Sequence, residues 1–328
     1  MSDLDTKIVV FGGGTGSFNL LQALKQHVSD ITAIVNMSDD GGSTGILRDE
    51  LGVLPAGDVR QCLVALSDSL EIRNLFNYRF SEGRLAGQSL GNMILSGLEL
   101  EYGSFSEAVR VAGDVLRIRG QVVPVTLGDH RLRLQDGTQL IKGEHQIDSY
   151  KVEHRTALVW LEPRAVLNPA AAAAIAEADL LVIAPGGMYE SILPIFAVDG
   201  IVEAMAKASA SKVYIANLVN KPRHTDGWHV VDYVQEIERY LGEGIIDTVL
   251  YNTAPLPTEL ATKYAAEGEV AVDTNPDRFS EVSAQMIGKP LVASKLVLPN
   301  KAEKGVKRTL IRHDGERVYE LLAEILKH

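Results

Sequence analysis

Cysteine is all but missing from this 328-residue chain: Cys62 is the only one. A lone thiol excludes an internal disulfide and any metal site built from several cysteines, and it fits a reducing compartment. No Lys/Arg block is present either. Asp and Glu number 43 against 32 Lys and Arg, for a net charge of −11, which argues against a nucleic-acid backbone as partner. Long hydrophobic runs are absent as well. The best candidate, residues 170–184, is interrupted by Glu177 and Asp179, whereas a helical membrane span needs about 20 apolar residues. Asp3 and Asp5 stand where a signal peptide would carry basic and then apolar residues. The absences together predict a cytoplasmic protein that engages neither membrane nor nucleic acid.

What is present reads as an ordinary globular α/β composition, 46% apolar and 23% charged, in a chain long enough for one large domain. Its organising stretch is Ile8-Val9-Val10-Phe11 followed by Gly12-Gly13-Gly14-Thr15-Gly16. An unbroken β-favouring apolar run predicts a buried parallel strand. Glycines let the backbone turn sharply and approach a ligand. Phe18, Leu21 and Leu24 then mark one face of a helix over 17–26. A glycine turn opening a helix suits a phosphate, because N–H groups and the positive end of the dipole point at it. The spelling excludes two familiar motifs: Ser17 occupies the third glycine position of GxGxxG, and no Lys-Ser or Lys-Thr follows as in a P-loop.

A second buried strand over 31–35 leads to Asp39-Asp40-Gly41-Gly42-Ser43-Thr44-Gly45, read as a second glycine-rich loop. Asp39 lies where doubly wound folds place the acid that bonds a ribose hydroxyl; alternatively, the paired carboxylates hold Mg²⁺. Asp58, with Gln61 three positions on, reads as the N-cap of a helix carrying Val59, Leu63 and Leu66, and Arg60 in its first turn hints at a partner anion. Ser89 and Ser104 open two further helices. Strands over 122–126, 132–134 and 140–141, with a hairpin at Asp136-Gly137, predict a β-rich insertion around 120–160. His130, His145 and His154 fall there without metal-ligand spacing and read as surface histidines.

Parallel α/β texture returns at Asn168-Pro169, an N-cap followed by Pro at N1. Strands over 180–184, 213–216 and 247–251 alternate with helices over 170–178, 202–208, 230–241 and 258–266, and a last helix covers 318–326. Three strand ends thus carry glycine-rich or polar loops, after Phe11, Val35 and Ala184. In an open parallel sheet such loops gather at the carboxyl edge, predicting one shared nucleotide-sized cleft. No Ser-His-Asp, Cys-His or HExxH arrangement can be read off the chain, so nothing in it demands catalysis.

The loops together resemble the YvcK branch of the CofD-like superfamily, whose bacterial members are called gluconeogenesis factors. The matching pieces are GGGTG (12–16), DDGGSTG with LRDEL (39–51), PAGDVR with CLVALSD (55–68), FNYRF (76–80), SLGN (89–92), PGGMYESILP (185–194) and IRHD (311–314). The resemblance implies a single Rossmann-like three-layer α/β domain over 1–328 with a mostly parallel sheet. It implies a cytoplasmic regulator that binds a UDP-sugar, UDP-N-acetylglucosamine above all, and links carbon metabolism to cell-wall precursor synthesis and cell shape. It is compatible with a protein partner in that synthesis and with a homo-oligomer. Carried onto this chain, the nucleotide-binding set is Gly13, Gly14, Thr15, Gly16, Asp39, Asp40, Asn92, Gly186, Gly187, Asn217, Lys221, Tyr264 and Arg312.

No cofactor is required under this reading. The alternative is a 2-phospho-L-lactate transferase-like enzyme acting on a nucleotide-diphospho substrate, with Asp39 and Asp40 holding Mg²⁺. The chain also departs from the usual pattern. Gly187 replaces a serine, Glu190 a threonine, and Asn220-Lys221-Pro222-Arg223-His224-Thr225 stands for Thr-Gln-x-Gly-Glu-Thr.

Overall fold

Four consecutive residues of the first strand, Ile8, Val9, Val10 and Phe11, are each at most 2% exposed. Successive strand side chains point to opposite faces, so both faces of β1 (Leu4–Gly12) are covered. The computed structural model describes residues 4–293 and 310–327; Asp3 lies outside them. The other strands are β2 (Val28–Val35), β3 (Gln121–Pro124), β4 (Arg131–Asp136), β5 (Gln139–Lys142), β6 (Leu158–Glu162), β7 (Leu180–Ile183), β8 (Ser211–Ile215), β9 (Thr248–Asn252) and β10 (Gln285–Lys289). Seven form one sheet, ordered β10-β9-β8-β7-β1-β2-β3, and every pair in it is parallel. This is the doubly wound order, in which the chain steps outward on one side of β1 and then on the other. Helix Gly14–Leu24 packs on Gly57–Leu66 and Gly315–Ile325, whereas Ile201–Lys207 packs on Pro169–Glu177 and Val230–Leu241.

The insertion is smaller than the sequence implies. Its antiparallel sheet, β5-β4-β6, starts at β4. The strand expected over 122–126 is β3, which pairs parallel with β2 and belongs to the main sheet. Within β4 the buried positions alternate, Leu132 and Leu134 inward with Arg131, Arg133 and Gln135 half-buried, as the sequence alternation requires. The hairpin turns just after Asp136, where Gly137 takes φ +57°.

Several local expectations need correction. Half of the second glycine-rich loop is helix, since Gly42–Leu51 begins inside it. Asp58 is not an N-cap: the helix starts at Gly57 with Ala56 as cap, and the Asp58 carboxylate reaches elsewhere. His130 is buried, with Nδ1 2.7 Å from Pro163 O, while His145 and His154 are exposed as expected. Helix Leu70–Asn77, capped by Ser69, and the half-exposed edge strand β10 have no counterpart in the sequence reading. Among the described residues no helix is long and apolar enough to cross a membrane.

Candidate functional site

The sheet changes direction between β1 and β7, so the loops leaving their carboxyl ends part and open a crevice. A cleft of about 610 Å³ lies there, within the ~300–1,000 Å³ usual for small-molecule sites. Gly13, Gly14, Thr15 and Gly16 line it from the β1 turn, Gly186, Gly187 and Glu190 from the β7 loop, and Asn217 and Lys221 from the β8 loop. Tyr264, Arg312 and Asp148 complete the wall. Ten of the thirteen residues carried over by resemblance therefore share one cavity. The loop after β2 does not share it, because β2 lies on the far side of β1 from β7.

The glycines of the first turn have different jobs. A Cβ on Gly16 would lie 1.9 Å from Pro185 O, and one on Gly13 2.2 Å from Asp58 Oδ2, so both exist for close packing. Gly14 has φ +59° and meets nothing nearer than Asp58 Oδ1 at 3.9 Å. It alone of the three combines a left-handed backbone with open space. Helix Gly14–Leu24 has no side-chain cap hydrogen bond from Gly13 at its start, and its Gly14 N–H donates to Asp58 Oδ1 at 3.1 Å. An uncapped first turn leaves N–H groups for an anion.

Asn217 ties two loops together: its Nδ2 donates to Gly186 O at 2.9 Å while Oδ1 accepts from Gly186 N–H at 3.4 Å. Tyr264 is buried among Leu218, Leu260 and Ile311, and its hydroxyl accepts from the Leu310 N–H. Arg312, in the cleft wall, is 8% exposed. The neighbouring His313 Nε2 donates to Ala216 O at 3.0 Å, and burial pushes this imidazole down to about 4, leaving it neutral near pH 7.

Lys221 stands between two carboxylates, Asp148 and Glu190. The Nδ1 of His224 lies 3.2 Å from Glu190 Oε2 without an aligned hydrogen bond. Burial works to raise the Glu190 carboxyl, but His224 and Lys221 outweigh it and bring it down to about 2. Glu190 and Asp148 are site residues that the sequence reading missed or treated as misplaced. Asp148 belongs to the inserted helix Glu144–Ser149, and no local pattern brings it to the cleft.

Asp39, Asp40 and Asn92 do not line the cleft. Asp40 spends both oxygens on the inserted helix, accepting from Glu144 N–H at 3.1 Å and His145 N–H at 2.8 Å. Asp39 Oδ1 accepts from Gly41 N–H at 3.0 Å, and burial raises its carboxyl. Asn92 bridges Arg60 Nε, accepted at 2.9 Å, and Thr44 Oγ1, donated to at 3.3 Å. Arg60 is thus held inside the protein, also reaching Asn77 Oδ1 at 2.8 Å. Burial and the Asp39 charge push Asp58 up to about 7. Burial, then Asp39 and Glu190, push Glu144 up to about 9. Even so, no three His, Cys, Asp or Glu side chains among the described residues converge to hold a metal ion. Asp39 and Asp40 are turned to different partners, Gly41 and the inserted helix.

Three comparisons bear on this geometry. The CofD family, described as 2-phospho-L-lactate transferase CofD, matches residues 8–292. The chain is 39% identical to the gluconeogenesis factor of Bacillus subtilis (strain 168) over 98% of both proteins. It is 37% identical to the gluconeogenesis factor of Halalkalibacterium halodurans, over 97% of this chain and 95% of that one. A crystal structure of a UPF0052-family protein from Bacillus halodurans superposes with a TM-score of 0.88 at 34% identity, covering 98% of this chain and 99% of that one.

Proposed function

The chain belongs to the CofD family, in the YvcK-like branch of the gluconeogenesis factors, and from that premise we propose that its cleft binds a nucleotide sugar, UDP-N-acetylglucosamine foremost. One observation carries the reading: the uncapped glycine turn, with Gly14 facing open space, lines the same cleft as Arg312. Backbone N–H groups at a helix start and a guanidinium fork both suit a diphosphate. The protein then acts as a cytoplasmic regulator. Occupancy of the cleft reports cell-wall precursor supply, and a partner protein in that synthesis reads it out.

A transferase of the 2-phospho-L-lactate type is the second reading, favoured by the family description and by the raised carboxyls of Asp58 and Glu144. It is the weaker one: of the two acids the magnesium reading needs, Asp40 is committed to the inserted helix.

Thermal unfolding with UDP-N-acetylglucosamine, UDP, GDP and NAD tests the proposal. A ligand at 100 times its Kd adds about 2.7 kcal/mol to stability. The UDP-sugar is expected to raise the melting temperature of wild type with or without EDTA. Gly14→Val is expected to lose that shift, its own fold weakened by about 1–3 kcal/mol through φ +59°. Wild type unmoved by any uridine nucleotide, or Gly14→Val binding as tightly as wild type, rejects the reading.

A further inference from the structure

The inserted helix Glu144–Ser149 reaches across the carboxyl edge of the main sheet. Asp40, after β2, holds its start through the Glu144 and His145 N–H groups. The β8 loop holds its end: His224 Nε2 donates to Ile147 O at 2.9 Å, and Arg223 Nη1 to Ser149 O at 2.9 Å. Fixed at both ends, the helix places Asp148 in the cleft wall, where its Oδ1 meets Lys221 Nζ and its side chain keeps 50% exposure. On the other side of the same ammonium lies Glu190, buried to 6%.

This end of the cleft has a definite chemistry. Two carboxylates meet the Lys221 ammonium, so it is already paired, and the half-exposed Asp148 presents acceptor oxygens where a phosphate would need donors. An ionised carboxylate only accepts hydrogen bonds. The group that suits it is neutral and rich in donors. Within a nucleotide sugar a uracil offers a single ring N–H and the ribose two hydroxyls, whereas the hexose offers the most donors and is the part that UDP lacks.

We propose that Asp148 is a specificity-determining residue of the cleft, its carboxylate accepting hydrogen bonds from the hydroxyls of the ligand's sugar while Lys221 holds it in place. The assignment rests on the nucleotide-sugar reading given above. It makes the inserted sheet part of the binding site: β4 to β6 carry the helix that presents the selecting acid. The diphosphate goes to the glycine turn and the sugar to Asp148, so nucleotide and sugar are read by different elements of the chain.

Calorimetric titration of full-length wild type, Asp148→Asn and Asp148→Ala with UDP and with UDP-N-acetylglucosamine tests it. Wild type is expected to bind the UDP-sugar more tightly than UDP. Asp148→Ala should weaken the UDP-sugar at least tenfold and leave UDP within twofold. Asp148→Asn, which keeps one acceptor oxygen, should fall between. Both variants are expected to melt close to wild type without ligand, since the residue is half exposed. Equal losses for UDP and UDP-sugar would put Asp148 on the shared nucleotide or reduce it to a prop for Lys221, and either would overturn the proposal, as would no loss for either ligand. Failure of wild type to bind either ligand would instead reject the nucleotide-sugar reading, and the proposal with it.

Discussion

A Cβ placed on Gly187 would lie 1.6 Å from Oε1 of Glu190. The absent side chain is therefore what makes room for the buried carboxylate, and the carboxylate is what Lys221 and His224 meet. Residues that look like scattered departures from the family pattern are one physical unit. A serine at 187 collides with a glutamate at 190, and a glutamate at 190 needs cations around it. Gly187→Ser is accordingly expected to destabilise the protein by about 1–3 kcal/mol, because Glu190 must leave its partners to make space. In a Glu190→Thr background the same change should cost far less. Denaturant unfolding of the two single variants and the double variant gives the coupling energy. Additive costs would show that the two positions are independent.

The acids behind the glycine turn give a pH prediction. Asp58 is held at about 7 by burial and the Asp39 charge, against an ordinary value of 3.8. Its folded value is raised, so the folded state binds the extra proton, and stability falls as pH rises from about 4 to 7. Asp58→Asn keeps an oxygen to accept the Gly14 N–H and removes the charge. It should stabilise the ligand-free protein by about 1–3 kcal/mol at pH 8, with the gain fading as pH approaches 4. Chemical denaturation of both proteins across that range measures it. A gain that stays constant with pH would mean Asp58 does not titrate there.

How much of this was legible in the chain depends on the range of the interaction that fixes each feature. Asn168 followed by Pro169 caps its helix as read, with the side-chain oxygen accepting from Ala170 N–H at 3.0 Å. Helix Val230–Leu241 runs where its apolar spacing places it. Both are settled within a few residues. Strand β10, with Gln285 and Lys289 exposed and the rest half-buried, has no unbroken apolar run to announce it. Asp40 looked like a ligand acid because it follows a strand, yet its partners are 104 and 105 residues away. Arg223 takes φ +72°, a conformation natural to the glycine that the resemblance places there. Its gain is the Ser149 carbonyl, 74 residues distant. Long-range partners of this kind leave no local signature, and they are what built the wall of the cleft.

Arg312 and Tyr264 divide the far side of the cleft between them. Tyr264 is a packing residue first: it is 8% exposed, and its hydroxyl accepts the Leu310 N–H, which fixes the segment that delivers Arg312. Tyr264→Phe keeps the packing and loses that bond. It should weaken nucleotide binding only severalfold, by shifting Arg312. Arg312→Lys keeps the charge and loses the planar fork that the proposed diphosphate contact calls for. It is expected to weaken UDP and UDP-N-acetylglucosamine alike by roughly tenfold, about 1.4 kcal/mol, with Arg312→Ala worse. Arg312 is also buried, so the truncation is read beside the melting temperature without ligand. Equal losses for the two nucleotides place the guanidinium on the diphosphate they share. A loss confined to the UDP-sugar would move Arg312 to the sugar end, and unchanged affinity in both variants would remove it from the site.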